Sequence, residues 1–182
     1  MERTLVLIQN DAIRRGLQNE IIKRFSDAGL KIISKKEVVP TREMAEGHYR
    51  ATEEQIVGMG NNTLRAWRDK GYSEENVAEF FGSAEPRKIG EQLLEWARQF
   101  ITGKKLIALI IEGDNAIQKV RQIVGYTDPI KAKKGTIRGD FAADSIAKAN
   151  LEKRKVENLV HAADSTDSAE KEIAIWFPEL KK

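Results

Sequence analysis

Residues 4–8, Thr4-Leu5-Val6-Leu7-Ile8, form a nearly unbroken apolar run that reads as a buried strand. After it, Asp11 is placed to cap a helix whose apolar positions Ile13, Leu17, Ile21, Ile22 and Phe25 recur at helical spacing, and Gly29 stops it. A second strand runs from Leu30 through Ile32 and Ile33 to about Val39, where Pro40 ends it. The most apolar strand is Lys105 to Glu112. Beyond it, Asp114 caps a helix with Ile117, Val120, Ile123 and Val124 on one face and Gly125 at its end. Val156 to Val160 is a short fourth strand, and Ser165 opens a last helix that buries Ala169, Ile173, Trp176 and Phe177.

Apart from residues 50–101 the order is strand, helix, strand, strand, helix, strand, helix. That order predicts an α+β fold, a ferredoxin-like split βαβ sandwich in which helices cover one face of a four-stranded antiparallel sheet. Residues 50–101 have a different pattern, with Glu53-Glu54, Leu64 to Trp67, Glu74 to Phe81 and a strongly amphipathic stretch carrying Ile89, Leu93, Leu94, Trp96, Phe100 and Ile101. Two to four helices against the sheet edge are expected there. No internal repeat or low-complexity tract interrupts the chain, so 1–182 reads as a single domain.

Composition narrows the class without naming a chemistry. With 41% hydrophobic and 32% charged residues the chain has the balance of a globular protein, and its longest apolar run, Leu106 to Ile111, is far too short to cross a bilayer. Glu2 and Arg3 lead directly into the first strand without a secretory pattern, which points to the cytoplasm. The absence of cysteine rules out disulfides and thiolate metal sites. A net charge of +3 mildly favours anionic partners.

His48 and His161 are the two histidines. His161 follows the short apolar strand and precedes the small residues Ala162 and Ala163, which leave its ring accessible. Glu172, on the helix beyond, is positioned to return to that ring. A carboxylate on one ring nitrogen fixes the tautomer and frees the other nitrogen to attack. Arg138, set between glycines in Gly135-Thr136-Ile137-Arg138-Gly139-Asp140-Phe141, has a fork that matches a phosphate. Arg121 and the turn Gly125-Tyr126-Thr127-Asp128-Pro129 add a second cation and a hydroxyl donor, Thr127.

Together with Arg3 to Ile8, Asp11-Ala12, Arg15-Gly16, His48-Tyr49, Glu112-Gly113, Asn158-Leu159-Val160-His161 and Ser168 to Ile173, these pieces occur in the order found in nucleoside diphosphate kinases, and the chain resembles that family over most of 1–49 and 102–182. The resemblance implies transfer of the terminal phosphate from a nucleoside triphosphate to a nucleoside diphosphate, in two steps, through a phosphate on His161. It implies that Glu172 holds the ring, that Arg121, Thr127 and Arg138 grip phosphates, that Asn158 contacts the sugar and that Tyr49 lines the site. It also implies magnesium (Mg2+) carried on the nucleotide's phosphates rather than in a protein cage, and a homo-oligomer, hexameric or tetrameric. The chain has no GxxxxGK[ST] loop, so phosphate is not held by a P-loop.

The chain departs from the family pattern in three places. Gln9-Asn10-Asp11 stands where the family has Lys-Pro-Asp, so the cation that assists the transferring phosphoryl group is missing and reduced activity is expected. A helical insertion occupies about 50–90, where the family places the aromatic that stacks on the base; Met59, Trp67, Phe80 and Phe81 are the candidates for that role. A shorter insertion, rich in Lys and Ala, occupies about 142–155. Two rival readings remain: a nucleotide-binding protein without turnover, and a ferredoxin-like nucleic-acid-binding module, which the aliphatic strands disfavour because such modules present aromatics there.

Overall fold

A computed structural model describes residues 1–180. In chain order the elements are β1 (Glu2–Ile8), α1 (Asn10–Arg14), α2 (Gln18–Asp27), β2 (Lys31–Val38), α3 (Arg42–His48), α4 (Glu53–Arg68), α5 (Glu74–Phe81), α6 (Pro86–Ile101), β3 (Leu106–Gly113), α7 (Ala116–Val124), α8 (Ile137–Phe141), α9 (Ile146–Leu151), β4 (Val160–Ala162) and α10 (Thr166–Trp176). The four strands make one antiparallel sheet in the order β2-β3-β1-β4, with Leu5 opposite Ile110 and Leu7 opposite His161. This is the ferredoxin-like α+β arrangement that the element order predicts.

Helices cover both faces of the sheet rather than the one face expected. Val6, Ile8, Ile107, Leu109 and Ile111 pack with Ile21, Phe25, Val120 and Val124 on one side. Leu5, Leu7, Ala108 and Ile110 pack with Phe100, Ile101, Trp176 and Phe177 on the other. An alternating pattern marks a strand with one wet face, whereas the unbroken apolar runs of β1 and β3 are what burial on both faces requires.

Local chemistry moves several boundaries. The first helix is two, because Gly16 adopts φ +68 between α1 and α2. Asp11 does not cap α1: Gln9 is the N-cap residue, and the Asp11 carboxylate accepts instead from the backbone N–H of Leu159 at 2.9 Å. Asn115, not Asp114, stands at the start of α7. The fourth strand begins at Val160 instead of Val156, so His161 lies on the strand itself. Ser165 caps α10 as expected, accepting from Ser168 N–H.

The middle segment contains three helices. Thr52–Gln55 and Ser73–Asn76 capping boxes start α4 and α5. Helices α4 and α6 touch backbone to backbone at Gly60 and Gly90, where a Cβ would fall 1.8 Å from Pro86 O and 2.0 Å from Ile56 O respectively. Trp67, Val77 and Ile89 form a small core of their own, while the far end of α6 enters the main core through Phe100 and Ile101.

Candidate active site around His161

β4 carries His161 to the bottom of a cavity of about 380 Å³, lined by residues of six segments, among them Gln9, Tyr49, Arg121, Thr127, Arg138, Lys155, Asn158 and Glu172. The chain enters β4 through an unusual turn. Leu159, fully buried, has φ +70, a left-handed conformation that costs a non-glycine residue about 1–2 kcal/mol. The turn is held from all sides. Gln9 N–H donates to Leu159 O at 2.8 Å, Leu159 N–H donates to Asp11, and Arg138 donates to the carbonyls of Asn158 (3.2 Å) and Val160 (2.6 Å) as well as to Gly125 O (2.9 Å).

This arrangement changes the role expected of Arg138. Its side chain is 8% exposed, and three of its N–H groups are turned onto backbone carbonyls, which leaves two donors for a ligand. It is therefore first of all the fastener of the His161 turn. Burial, with Arg121 nearby, pushes its pKa down to about 10, so it stays charged at neutral pH. Thr136 caps α8 and presents Arg138 from the helix's first turn.

His161 Nε2 lies 2.8 Å from Glu172 Oε2, as the sequence predicts, and this leaves Nδ1 without a protein partner among the described residues. Burial, then the positive charges of Lys155 and Arg138, lower the ring's pKa to about 3, which keeps it neutral. Burial raises Glu172 to about 7. When Glu172 is ionised it accepts the Nε2 proton and Nδ1 carries a lone pair; when it is protonated it donates to Nε2, and the proton moves to Nδ1. Only the first state is nucleophilic.

His48 is the structural histidine. It packs edge-on to His161 with ring centroids 4.4 Å apart, and its Nδ1 accepts from Trp176 Nε1 at 3.2 Å. Burial lowers its pKa, so it adds no charge beside the His161 ring.

The other predicted residues converge on the same cavity. Tyr49 lines it with a buried hydroxyl that has no partner among the described residues. Arg121 and Thr127 are exposed at its rim, and the Arg121 guanidinium makes no hydrogen bond or ion pair with a described residue. Asn158 donates from Nδ2 to Thr127 O at 2.9 Å while its Oδ1 is buried and unpartnered. Gln9 is 1% exposed, and neither of its amide atoms has a partner among the described residues. Buried polar atoms normally find partners, so a cavity with orphans on Gln9, Tyr49 and Asn158 is built for a polar ligand.

The four aromatic and thioether candidates for base stacking are not there. Trp67, Phe80 and Phe81 pack on one another with centroids 4.9–5.5 Å apart, closing the helical segment's own core, and neither they nor Met59 line the cavity. The exposed aromatic at the rim is Tyr126. Lys155, which also lines the cavity, has no motif to announce it.

Comparison with known proteins gives one family. The family model described as "Nucleoside diphosphate kinase" matches residues 2–57 and 60–181. A nucleoside diphosphate kinase of Pyrobaculum aerophilum is 38% identical over 179 residues, 98% of this chain and 96% of that protein. The crystal structure of an NDP kinase from the same organism superposes with a TM-score of 0.91, covering 97% of this chain and 95% of that one. A transition state mimic of the Borrelia burgdorferi nucleoside-diphosphate kinase with bound vanadate and ADP, 26% identical, superposes with a TM-score of 0.74 over 97% of this chain and 86% of that one.

Proposed function

The chain belongs to the nucleoside diphosphate kinase family, and we propose that it works through a covalent phosphate on His161. It moves the terminal phosphate of a nucleoside triphosphate onto a nucleoside diphosphate. The observation that carries the proposal is the neutral His161 ring, tethered at Nε2 by Glu172 with Nδ1 free, at the bottom of a cavity lined by Arg121 and Arg138.

In the first half-reaction the Nδ1 lone pair forms a bond to the terminal phosphorus, and the bridging P–O bond breaks with its electrons going to the departing diphosphate. The ring becomes a phosphoimidazolium whose Nε2–H stays on the Glu172 carboxylate, which balances the new charge. In the second half a terminal oxygen of the acceptor diphosphate attacks phosphorus and the N–P electrons return to Nδ1. No proton has to leave the ring. Arg121 and the Thr127 hydroxyl at the rim are suited to the phosphates, Tyr49 OH to a phosphate or ribose oxygen, and Asn158 Oδ1 to a sugar hydroxyl.

Of the carboxylates lining the cavity, Glu172 is taken by His161 and Asp164 accepts from Ser168 at 2.7 Å; among the described residues His48, His161 and Glu172 bring three potential ligands together, but the His161–Glu172 hydrogen bond engages two of them and His48 Nδ1 is held by Trp176. That donor set fits magnesium arriving on the nucleotide's phosphates, where it would neutralise part of their charge. We place the chain, as one domain, in the cytoplasm; no helix of the described residues is long and apolar enough to cross a membrane, and the chain has no cysteine. A homo-oligomer, hexamer or tetramer, is the assembly the family implies; β2 leaves one edge of the sheet unpaired within the described residues, and sedimentation tests it.

Exchange of phosphate between ATP and a second nucleoside diphosphate should give parallel lines in double-reciprocal plots, because each half-reaction is completed before the next substrate binds. Intersecting lines would mean direct transfer in a ternary complex, and nucleotide binding without exchange would mean a binding protein. The rate of phosphoenzyme formation should fall about tenfold per unit as pH drops below about 7, where Glu172 takes up its proton. Glu172→Gln keeps an acceptor for Nε2–H but cannot titrate, so this acid limb should vanish in that variant.

A further inference from the structure

The cavity contains one neutral group where charge would act most strongly and one cation that nothing yet explains. Gln9, at the end of β1, lines the same cavity as His161 with an amide whose two polar atoms find no partner among the described residues. An amide can donate a hydrogen bond to a phosphoryl oxygen, but it cannot offset the negative charge that accumulates as phosphorus passes between two donors.

The cation arrives from the shorter insertion. After α9 the chain turns at Lys153, with φ +53, and is then clamped. Arg154 grips Asp144 with both Nη atoms (2.6 and 3.1 Å), the same carboxylate accepts from Glu157 N–H at 2.9 Å, and Glu157 is paired to Arg14 at 2.7 Å. Residues 154 and 157 are thereby fixed to the protein body, and Lys155 between them is directed into the cavity that holds Gln9 and His161. Its ammonium sits 4.7 Å from the centre of the Phe100 ring, a contact that supports its stem and charge. No carboxylate lies within ion-pair distance of it among the described residues, whereas Arg14 and Arg154 on either side of the same clamp are each paired to one. A half-buried ammonium without a counter-ion is unfavourable until an anion arrives.

We propose that Lys155 is a catalytic residue of the phosphoryl transfer, its ammonium contacting the terminal phosphate on the way to and from His161 and supplying the charge that Gln9 lacks. The inference rests on His161 being the phosphate carrier. In the step itself the N–P and P–O bonds exchange as described above, and Lys155 gains and loses no proton; it lowers the energy of the charge that develops between them. The proximity is also electrostatic. After burial itself, the charge of Lys155 is the strongest influence keeping the His161 ring unprotonated. Burial lowers the ammonium's own pKa to about 8, with Asp11 of α1 opposing and Arg138 of α8 assisting; the other titratable groups facing it are His161 of β4 and His48 of α3, both neutral.

The test is the single-turnover rate at which labelled ATP phosphorylates the full chain. Lys155→Met, which keeps the length and apolar contact and removes the charge, should phosphorylate about 100- to 1000-fold more slowly while ATP affinity changes far less. Adding Gln9→Lys to that variant should restore at least about tenfold of the loss, because it returns a cation to the same space; Gln9→Lys alone, beside Lys155, should gain less than about threefold, since two ammonium groups repel. In the unmodified protein the rate should also decline as pH rises through about 8, and Lys155→Arg should remove that alkaline limb. A methionine variant within threefold of the unmodified rate overturns the inference. So does a loss that Gln9→Lys fails to recover. If the methionine variant does not fold, an alkaline limb that persists in Lys155→Arg overturns it equally. An unmodified chain that takes no label at all overturns the phosphohistidine reading and this inference with it, whereas a labelled chain indifferent to Lys155 overturns this inference alone.

Discussion

Alanine in place of His161 should give a folded protein that binds nucleotide and transfers no phosphate. Removing a nucleophile elsewhere costs on the order of 10⁶ in turnover, and among the described residues lining the cavity His161 is the one imidazole. His48, 4.4 Å away, cannot substitute, because its Nδ1 is occupied by Trp176 and its ring is enclosed. Stability should change little, since the ring is only partly buried and its edge-to-face packing on His48 is worth about 0.5–1.5 kcal/mol. Exchange assays combined with thermal unfolding would check both halves. Residual exchange above about one part in 10⁴ of the unmodified protein's would point to a second route.

Arg138→Ala should act on the fold first and on chemistry as a consequence. It removes three charge-assisted hydrogen bonds to the carbonyls of Gly125, Asn158 and Val160, each worth about 1.5–3 kcal/mol in isolation. Against this stands the cost of holding a buried guanidinium, visible in its lowered pKa. The bonds outweigh it, because the carbonyls they satisfy remain buried when the arginine is gone. A net destabilisation of about 3 kcal/mol, or about 6–12 °C in Tm for a chain of this size, is expected. The strained Leu159 turn relaxes, and His161 loses its aim. Urea unfolding beside the exchange assay separates the two effects, and an unchanged midpoint with abolished activity would assign Arg138 to phosphate alone.

Much of this was legible in the sequence where a physical rule is local. The unbroken run at Leu5 to Ile8, the cap at Ser165 and the return of Glu172 to His161 follow from burial, capping and helical spacing. What escaped depends on contacts made at long range. Helices on both sheet faces are the exception: the unbroken run of β1 puts apolar side chains on alternate faces, a local signal that the split βαβ element order, with its single helix layer, overrode. Asp11 reads as a cap because Leu159, whose N–H it accepts, lies far along the chain. Arg138 reads as a phosphate fork because the carbonyls it fastens belong to three other positions. Trp67, Phe80 and Phe81 read as a base platform because nothing in their spacing shows that α4, α5 and α6 need them for a core. Lys155 lies in a Lys-rich stretch, and only the Asp144 clamp singles it out from its solvated neighbours.

The central claim is that a phosphate rides on the ring nitrogen of His161 that Glu172 leaves free. Phosphorus–proton correlation spectra of the phosphoenzyme, made with labelled histidine, distinguish the two nitrogens. Phosphate bonded to Nδ1 of His161, with Nε2 still protonated, is the predicted result. Phosphate on Nε2, or on His48, would contradict it.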